Sequence, residues 1–234
     1  MSVYTTLTLK EVQDFSAPYG LEVIDLIPIQ GGIQNTNYFL VCENGQQYVL
    51  TIFEEMDEQG AGELVPVLEH LGQAGLAVPV PLSHSGRSIQ TLKDKPAQIA
   101  PRMLGHHPMP STIGQVAEIG RAQAQMHVAL KDFPLERAEY RNHAYWRGVA
   151  RQIKPTLSPA DTVILNNLLG LYDALTAMYP NRPTGFIHSD LFRDNTLFDA
   201  DQLTGILDFY ELNKDEWLFD IAITINDFCT NYPD

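Results

Sequence analysis

Residues 186–210 read FIHSDLFRDNTLFDADQLTGILDFY, and this stretch decides how the chain is to be read. An apolar run, Phe186-Ile187, leads into His188-x-Asp190 and, five residues further on, Asn195. Strand-like runs at 185–188, 197–198 and 205–209 surround that loop, and the last carries Asp208 thirteen residues beyond Asn195. An Asp on a loop leaving a strand can accept a proton from a hydroxyl aimed at a terminal phosphate. An amide five residues on, and a carboxylate on the next hairpin, are hard oxygen ligands suited to Mg²⁺ bridging the phosphates of ATP. Phosphoryl transfer asks mainly for positioning and charge neutralisation, so one base plus two metal ligands is nearly a sufficient set.

Upstream of this core the chain reads as strands around one helix. The apolar run 21–29 (LEVIDLIPI) is followed by a turn signal at Gln30-Gly31-Gly32 and a strand at 37–42. Asn44-Gly45 marks a hairpin, and 47–53 (QYVLTIF) is a third strand rich in β-branched and aromatic residues. Leu64, Leu68 and Leu71 follow helical spacing, which places a helix over 62–73 with its start blurred by Pro66. Two short strands are expected at 88–91 and 97–102. After Leu104-Gly105 the texture turns helical. Val116, Ile119, Met126 and Leu130 keep a helical period over 113–130. Ser158-Pro159-Ala160-Asp161 starts a helix that runs to about residue 178, with Ser as N-cap, Pro at the first position and an acid in the first turn. Its stripe of Ile164, Leu168, Leu171, Tyr172 and Leu175 is expected to be buried. The expectation is an α+β chain: a β-rich part over 1–100, a connector at 101–105, and a mainly helical part with short strands over 106–234.

At 234 residues, 44% hydrophobic and 19% charged against roughly 25% in an average soluble domain, the composition excludes a disordered chain. Fifteen Lys and Arg against 29 Asp and Glu leave a formal charge of −14. So acidic a field argues against nucleic acid or an anionic membrane as partner, and requires any bound polyphosphate to be met by metal ions and backbone N–H groups. Cys42 and Cys229 stand far apart without metal-ligand spacing, and no run of about 18 apolar residues occurs. These features point to a reducing, cytoplasmic setting.

The core segment resembles the kinase-like phosphotransferases that include aminoglycoside phosphotransferases and choline kinases. The closer resemblance is to the homoserine kinases of that superfamily. It is carried by GGIQNTNYFL, YVLTIFE, FIHSDLFRDNTLF, LTGILDFY and LFDIAITINDFC, in that order over nearly the whole chain. The resemblance implies a bilobal protein-kinase-like fold, with an N-terminal antiparallel sheet carrying one helix and a helical C-terminal lobe. It implies ATP and Mg²⁺ as cofactors and L-homoserine as the small-molecule acceptor. Asp190 would be the catalytic base, with Asn195 and Asp208 the Mg²⁺ ligands. His188 would brace the loop, and Asp220 would bond its backbone. Gly31 and Gly32, with Gln34, Asn35, Thr36 and Asn37, would cover the phosphates, and 100–104 would read adenine. It also implies further helices after the NDFC segment, so this catalytic lobe is expected to be short at its end.

One departure concerns the third strand, where many relatives place a Lys on the α- and β-phosphates and this chain has Thr51. The first hundred residues hold only Lys10, Arg87, Lys93 and Lys95 as basic side chains. Among the remaining polar residues, Glu54, Glu55, Asp57 and Glu58 read as a solvated face and His127 as a packed core histidine. His106-His107 lacks a third metal ligand. Arg193 either steadies the transferring phosphate or pairs with an acid. Two rival functions stay open: another small-molecule kinase, acting on an aminoglycoside, choline or a sugar derivative, and a non-catalytic nucleotide-binding fragment.

Overall fold

The structure is a computed structural model that describes residues 4–30, 34–136 and 143–230. Five strands form an antiparallel sheet in the order β1-β2-β3-β5-β4: β1 (Val23–Pro28), β2 (Asn35–Cys42), β3 (Gln47–Phe53), β4 (Gln90–Leu92) and β5 (Lys95–Pro101). Asn44-Gly45 makes the β2–β3 turn as expected, with Gly45 at φ 80°. Alternation along β2 sends Thr36, Tyr38, Leu40 and Cys42 to one face of the sheet. There they join Leu50, Ile52, Ala97 and Ile99 against Val12 of α1 (Leu9–Ser16). The helix was not expected, although its start carries a full capping box between Thr8 and Glu11.

The single helix expected over 62–73 is two: α2 (Glu58–Glu63), N-capped by Asp57, and α3 (Val65–Gln73), with Pro66 in the first turn of the second. A proline there loses no intrahelical hydrogen bond, so the break falls just before it. Val67, Leu68 and Leu71 of α3 do not pack against the sheet's α1-covered face. They share a core with Ile119 and Met126 of α4 (Ile113–Ala129), with Phe186 and Leu191 around the loop, and with Phe228 of the last helix.

Beyond α4 come α5 (His143–Ile153), α6 (Pro159–Met178), β6 (Thr184–Ile187), β7 (Thr196–Asp199), β8 (Gln202–Ile206), β9 (Asn213–Glu216) and α7 (Trp217–Phe228). β6 pairs with β9 and β7 with β8, making two small antiparallel sheets that flank the 188–195 loop. Gly105 lets the chain pass from the large sheet to β7. At φ 140°, a Cβ there would stand 2.5 Å from Thr204 Oγ1 and 2.9 Å from the Phe198 carbonyl oxygen.

One expectation is overturned. The apolar stripe of α6 is not buried: Ile164 is 57% exposed, Leu168 59% and Leu171 57%, with Leu175 exposed beside them, and no residue of the helix is fully buried. Periodicity told that the helix is two-faced, but no described element of the chain lies over the apolar face.

Candidate active site

Residues 188–195 leave β6 as a short loop held from several directions. Asp220, in the first turn of α7, accepts from the backbone N–H of Ser189 (2.9 Å) and of His188 (3.3 Å). Its other bond comes from His127 Nε2 on α4 (2.7 Å), a ring stacked on Trp217 with centroids 5.2 Å apart. Burial works to raise the Asp220 pKa, but the His127 hydrogen bond, the His188 ring and the Ser189 N–H outweigh it and hold it low. Asp220 therefore stays a buried anion that ties α4, α7 and the loop together. His127 is a core histidine, as expected, with a partner that its own helix does not reveal.

His188 is wholly buried and turned inward. Its Nε2 donates to the Leu207 carbonyl (2.9 Å), while Nδ1 accepts from the Asp190 N–H (3.3 Å), which fixes its tautomer. The Leu207 N–H in turn donates to the Asn195 carbonyl (2.8 Å). These bonds lock the strand end that presents Asp208 against the loop that presents Asp190 and Asn195. Asn195 Nδ2 donates to the Asp190 carbonyl (2.7 Å) and to its carboxylate Oδ2 (2.9 Å). With its nitrogen so engaged, Asn195 offers only its oxygen to a ligand. Asp208 takes a left-handed conformation, φ 60°, after β8. Its side chain opens to solvent at the cleft mouth, yet surrounding protein raises its pKa; the Asp190 charge raises it further, against the lowering effect of His188. Mutually repelling carboxylates beside a free amide oxygen are a donor set that a divalent cation satisfies.

Arg193 resolves in favour of an acid. It is buried and grips Asp227 of α7 through its backbone N–H (2.6 Å), Nε (3.2 Å) and Nη2 (3.2 Å), so it anchors the loop instead of facing the cleft. Asp227 and the pairing of His127 with Asp220 are what sequence reasoning missed. Only the acid positions at helical spacing on α7, Asp220 and Asp227, hinted at them.

On the sheet side, Gly31 and Gly32 lie outside the described residues. Asn37 and Thr51 pair across β2 and β3 on the face turned to the loop, and the Thr51 hydroxyl donates to Asn37 Oδ1 (2.8 Å). Two residues along each strand the same face presents Phe39 opposite Val49. Ala100 stands next to Val49 in the sheet, and the Arg102 guanidinium lies over the Phe39 ring, 4.0 Å from its centroid. Asn35 is buried where β2 begins. Thr36 points the other way: its hydroxyl accepts from the Tyr4 N–H (2.9 Å) and donates to Glu54 (2.6 Å) on the α1-covered face. A phosphate on the cleft side is out of that hydroxyl's reach. Glu54 corrects the solvated-face reading, because its carboxylate is nearly buried and paired with Lys95. Nearby, Asp57 caps α2, and Glu58 pairs with Arg87. All four basic side chains of the first hundred residues are thereby accounted for: Lys10 with Asp14, Lys93 with Glu11, Lys95 with Glu54 and Arg87 with Glu58. None takes the place of a strand lysine.

Residues 25–234 match the phosphotransferase enzyme family. A homoserine kinase of Janthinobacterium sp. (strain Marseille) is 35% identical over 233 residues, 98% of this chain and 72% of that protein. One from Neisseria meningitidis serogroup B is 36% identical, covering 97% of this chain and 74% of its own length. Among solved structures, an amicoumacin kinase in complex with AMP-PNP and Ca²⁺ superposes with a TM-score of 0.70 at 16% identity, over 97% of this chain and 72% of that one. A GDP complex of an aminoglycoside 2′-phosphotransferase reaches 0.71 at 17% identity, over 94% and 78%. These two structures share the fold.

Proposed function

From the premise that this chain belongs to the phosphotransferase enzyme family, we propose that it transfers the γ-phosphate of ATP to the side-chain hydroxyl of L-homoserine. The product, O-phospho-L-homoserine, feeds threonine synthesis. Its relatives at 35–36% identity are homoserine kinases, and the acceptor is taken from them. The single observation that carries the chemistry is the hydrogen-bonded knot in which Asn195 holds Asp190 while Leu207 and His188 bring Asp208 beside both.

In this reading Asp190 orients the acceptor hydroxyl and takes its proton as the oxygen attacks the γ-phosphorus and ADP departs. Asn195, through its oxygen, and Asp208 would hold Mg²⁺, which when bound neutralises phosphate charge. Asn35 and Asn37 side chains, with backbone groups of Gly31, Gly32 and Thr36, would cover the phosphates. The run 100–104 would read adenine through its backbone, where a part spanning 1–100 passes by a connector at 101–105 to one spanning 106–234. Both cysteines are free and no described helix is long and apolar enough to cross a membrane, in keeping with a cytoplasmic place.

The test is a coupled ADP-release assay with homoserine and a panel of aminoglycosides, choline and sugar alcohols. Homoserine should be the preferred acceptor; preference for another alcohol refutes the substrate. Asp190→Asn should lower kcat about 10²- to 10⁴-fold with ATP affinity little altered, and an unchanged kcat removes Asp190 from the role.

A further inference from the structure

Resting on the assignment of Asp190 as the base, we propose that Asn213 is a positioning residue for the reaction. Its side-chain amide keeps Ser189 left-handed and so aims Asp190 at the acceptor hydroxyl. Ser189, the residue between His188 and Asp190, has φ 70°. A side chain is strained there because its Cβ crowds the following carbonyl oxygen, and such strain persists only where the surroundings hold it. The Ser189 N–H donates to Asp220 at 2.9 Å, which fixes the chain as it enters the residue. What holds the conformation itself is the side chain: Ser189 Oγ accepts from Asn213 Nδ2 at 2.6 Å. Asn213 begins β9 and stands opposite Ile187, the last residue of β6, so it rides on a paired strand and not on the loop. With the N–H pinned, rotating Ser189 back to negative φ would swing Oγ away from Asn213 together with the onward chain to Asp190. The bond and the aim of Asp190 therefore stand or fall together. His188 and Asn195 hold Asp190 within the loop, whereas the turn at Ser189 sets the loop against β6.

The amide is kept in place at a cost. Asn213 is 3% exposed. Its nitrogen also donates to the Glu211 carbonyl (3.2 Å), which can only accept and so identifies the nitrogen. Its Oδ1 is buried without a hydrogen-bond partner among the described residues. A buried, unpaired amide oxygen is unfavourable, so an apolar residue of similar size would serve packing better. Asn213 is there for its donor.

The bond opposes the left-handed strain, which allows a test by rescue. Glycine takes positive φ without that strain, so in a Ser189→Gly background Asn213 has nothing left to hold. The experiment measures kcat and KM for ATP, in the assay above, for wild type, Asn213→Ala, Ser189→Ala, Ser189→Gly and the Asn213→Ala/Ser189→Gly double, with melting temperature alongside. Asn213→Ala and Ser189→Ala each lose the bond but keep a Cβ at position 189. Each should lower kcat about 3- to 10-fold, the worth of one net hydrogen bond, with KM for ATP within about twofold of wild type. Ser189→Gly should turn over faster than Ser189→Ala, and adding Asn213→Ala to it should change kcat by less than about twofold. An unchanged kcat in Asn213→Ala overturns the proposal, whatever its melting temperature, because the role is then structural only. The same loss in both backgrounds, or a loss carried by KM for ATP, overturns it too. Should Asn213→Ala not fold, the two Ser189 variants decide, and equal rates refute. A wild-type kcat in Asp190→Asn overturns both the base and this proposal, whereas a loss there with none in Asn213→Ala sinks the positioning role alone. If no acceptor supports ADP release, the functional reading falls and hydrogen exchange at the 188–190 amides still decides. Faster exchange in Asn213→Ala than in wild type, with no such gain in the Ser189→Gly background, supports the hold; equal rates overturn it.

Discussion

The 188–195 loop and helix α6 make an instructive pair. The loop is built from His, Ser, Asp, Arg and Asn, yet His188 and Arg193 are buried and most polar groups have a partner within the fold. α6 carries a continuous row of Ile and Leu, yet that row faces outward at more than half exposure for Ile164, Leu168 and Leu171. Composition alone would assign burial the other way round. His188 and Arg193 can be buried because ionised partners and backbone groups replace water at their polar atoms, so their desolvation is offset. The helix is exposed because amphipathicity says only that one face is apolar, and burial needs a second surface to meet it.

The comparison breaks most severely at Asp220. Asp220→Ala leaves His127 and two loop N–H groups buried without their acceptor, and should destabilise the protein by about 3–5 kcal/mol and cost activity with it. Denaturant melts showing a loss below about 1 kcal/mol would mean that the loop is not held from α7. The next contrast sets two leucines against each other. Leu71→Ala, fully buried on α3, should cost about 2–5 kcal/mol, whereas Leu168→Ala on α6 should stay within about 0.5 kcal/mol. Equal losses would show that the α6 face is covered in solution.

The smallest effect is at Glu11, the exposed acid of the α1 capping box, whose pKa is lowered to about 2 by Lys93 and by the Thr8 N–H and hydroxyl. A carboxyl depressed in the folded state stabilises above its ordinary value of 4.5, and that contribution is lost as pH falls through the folded value. The melting temperature of wild type should therefore exceed that of Glu11→Gln above pH 4.5, with the gap closing towards pH 2. A gap that persists unchanged to pH 2 refutes the assignment.

Much of the site was legible because its residues are close in sequence. Asp190, Asn195 and Asp208 fall within one loop–hairpin unit, and local spacing sufficed to group them. The partners that hold this unit are distant: His127 on α4, Asp220 and Asp227 on α7. Their roles depend on helices meeting in space, which no periodicity records. Thr36 shows the same limit at close range. Its place in the QNTN run suggested phosphate cover, but strand alternation sends odd and even residues to opposite faces, and only the packing of α1 identifies which face is the cleft.

Taken alone, the amino-acid sequence determined the strands at 37–42 and 47–53, the helices over 113–130 and from the Ser158 start to about 178, the grouping of Asp190, Asn195 and Asp208 in one segment, and the family. Each of these is written in local periodicity, caps or spacing. The tertiary structure alone decided that Glu54 is buried with Lys95, that Arg193 serves Asp227, that the Tyr210 ring meets Phe53, and that the α6 stripe stands open. A contact between elements far apart in the chain is set by how their faces pack, and packing is a property of the whole fold.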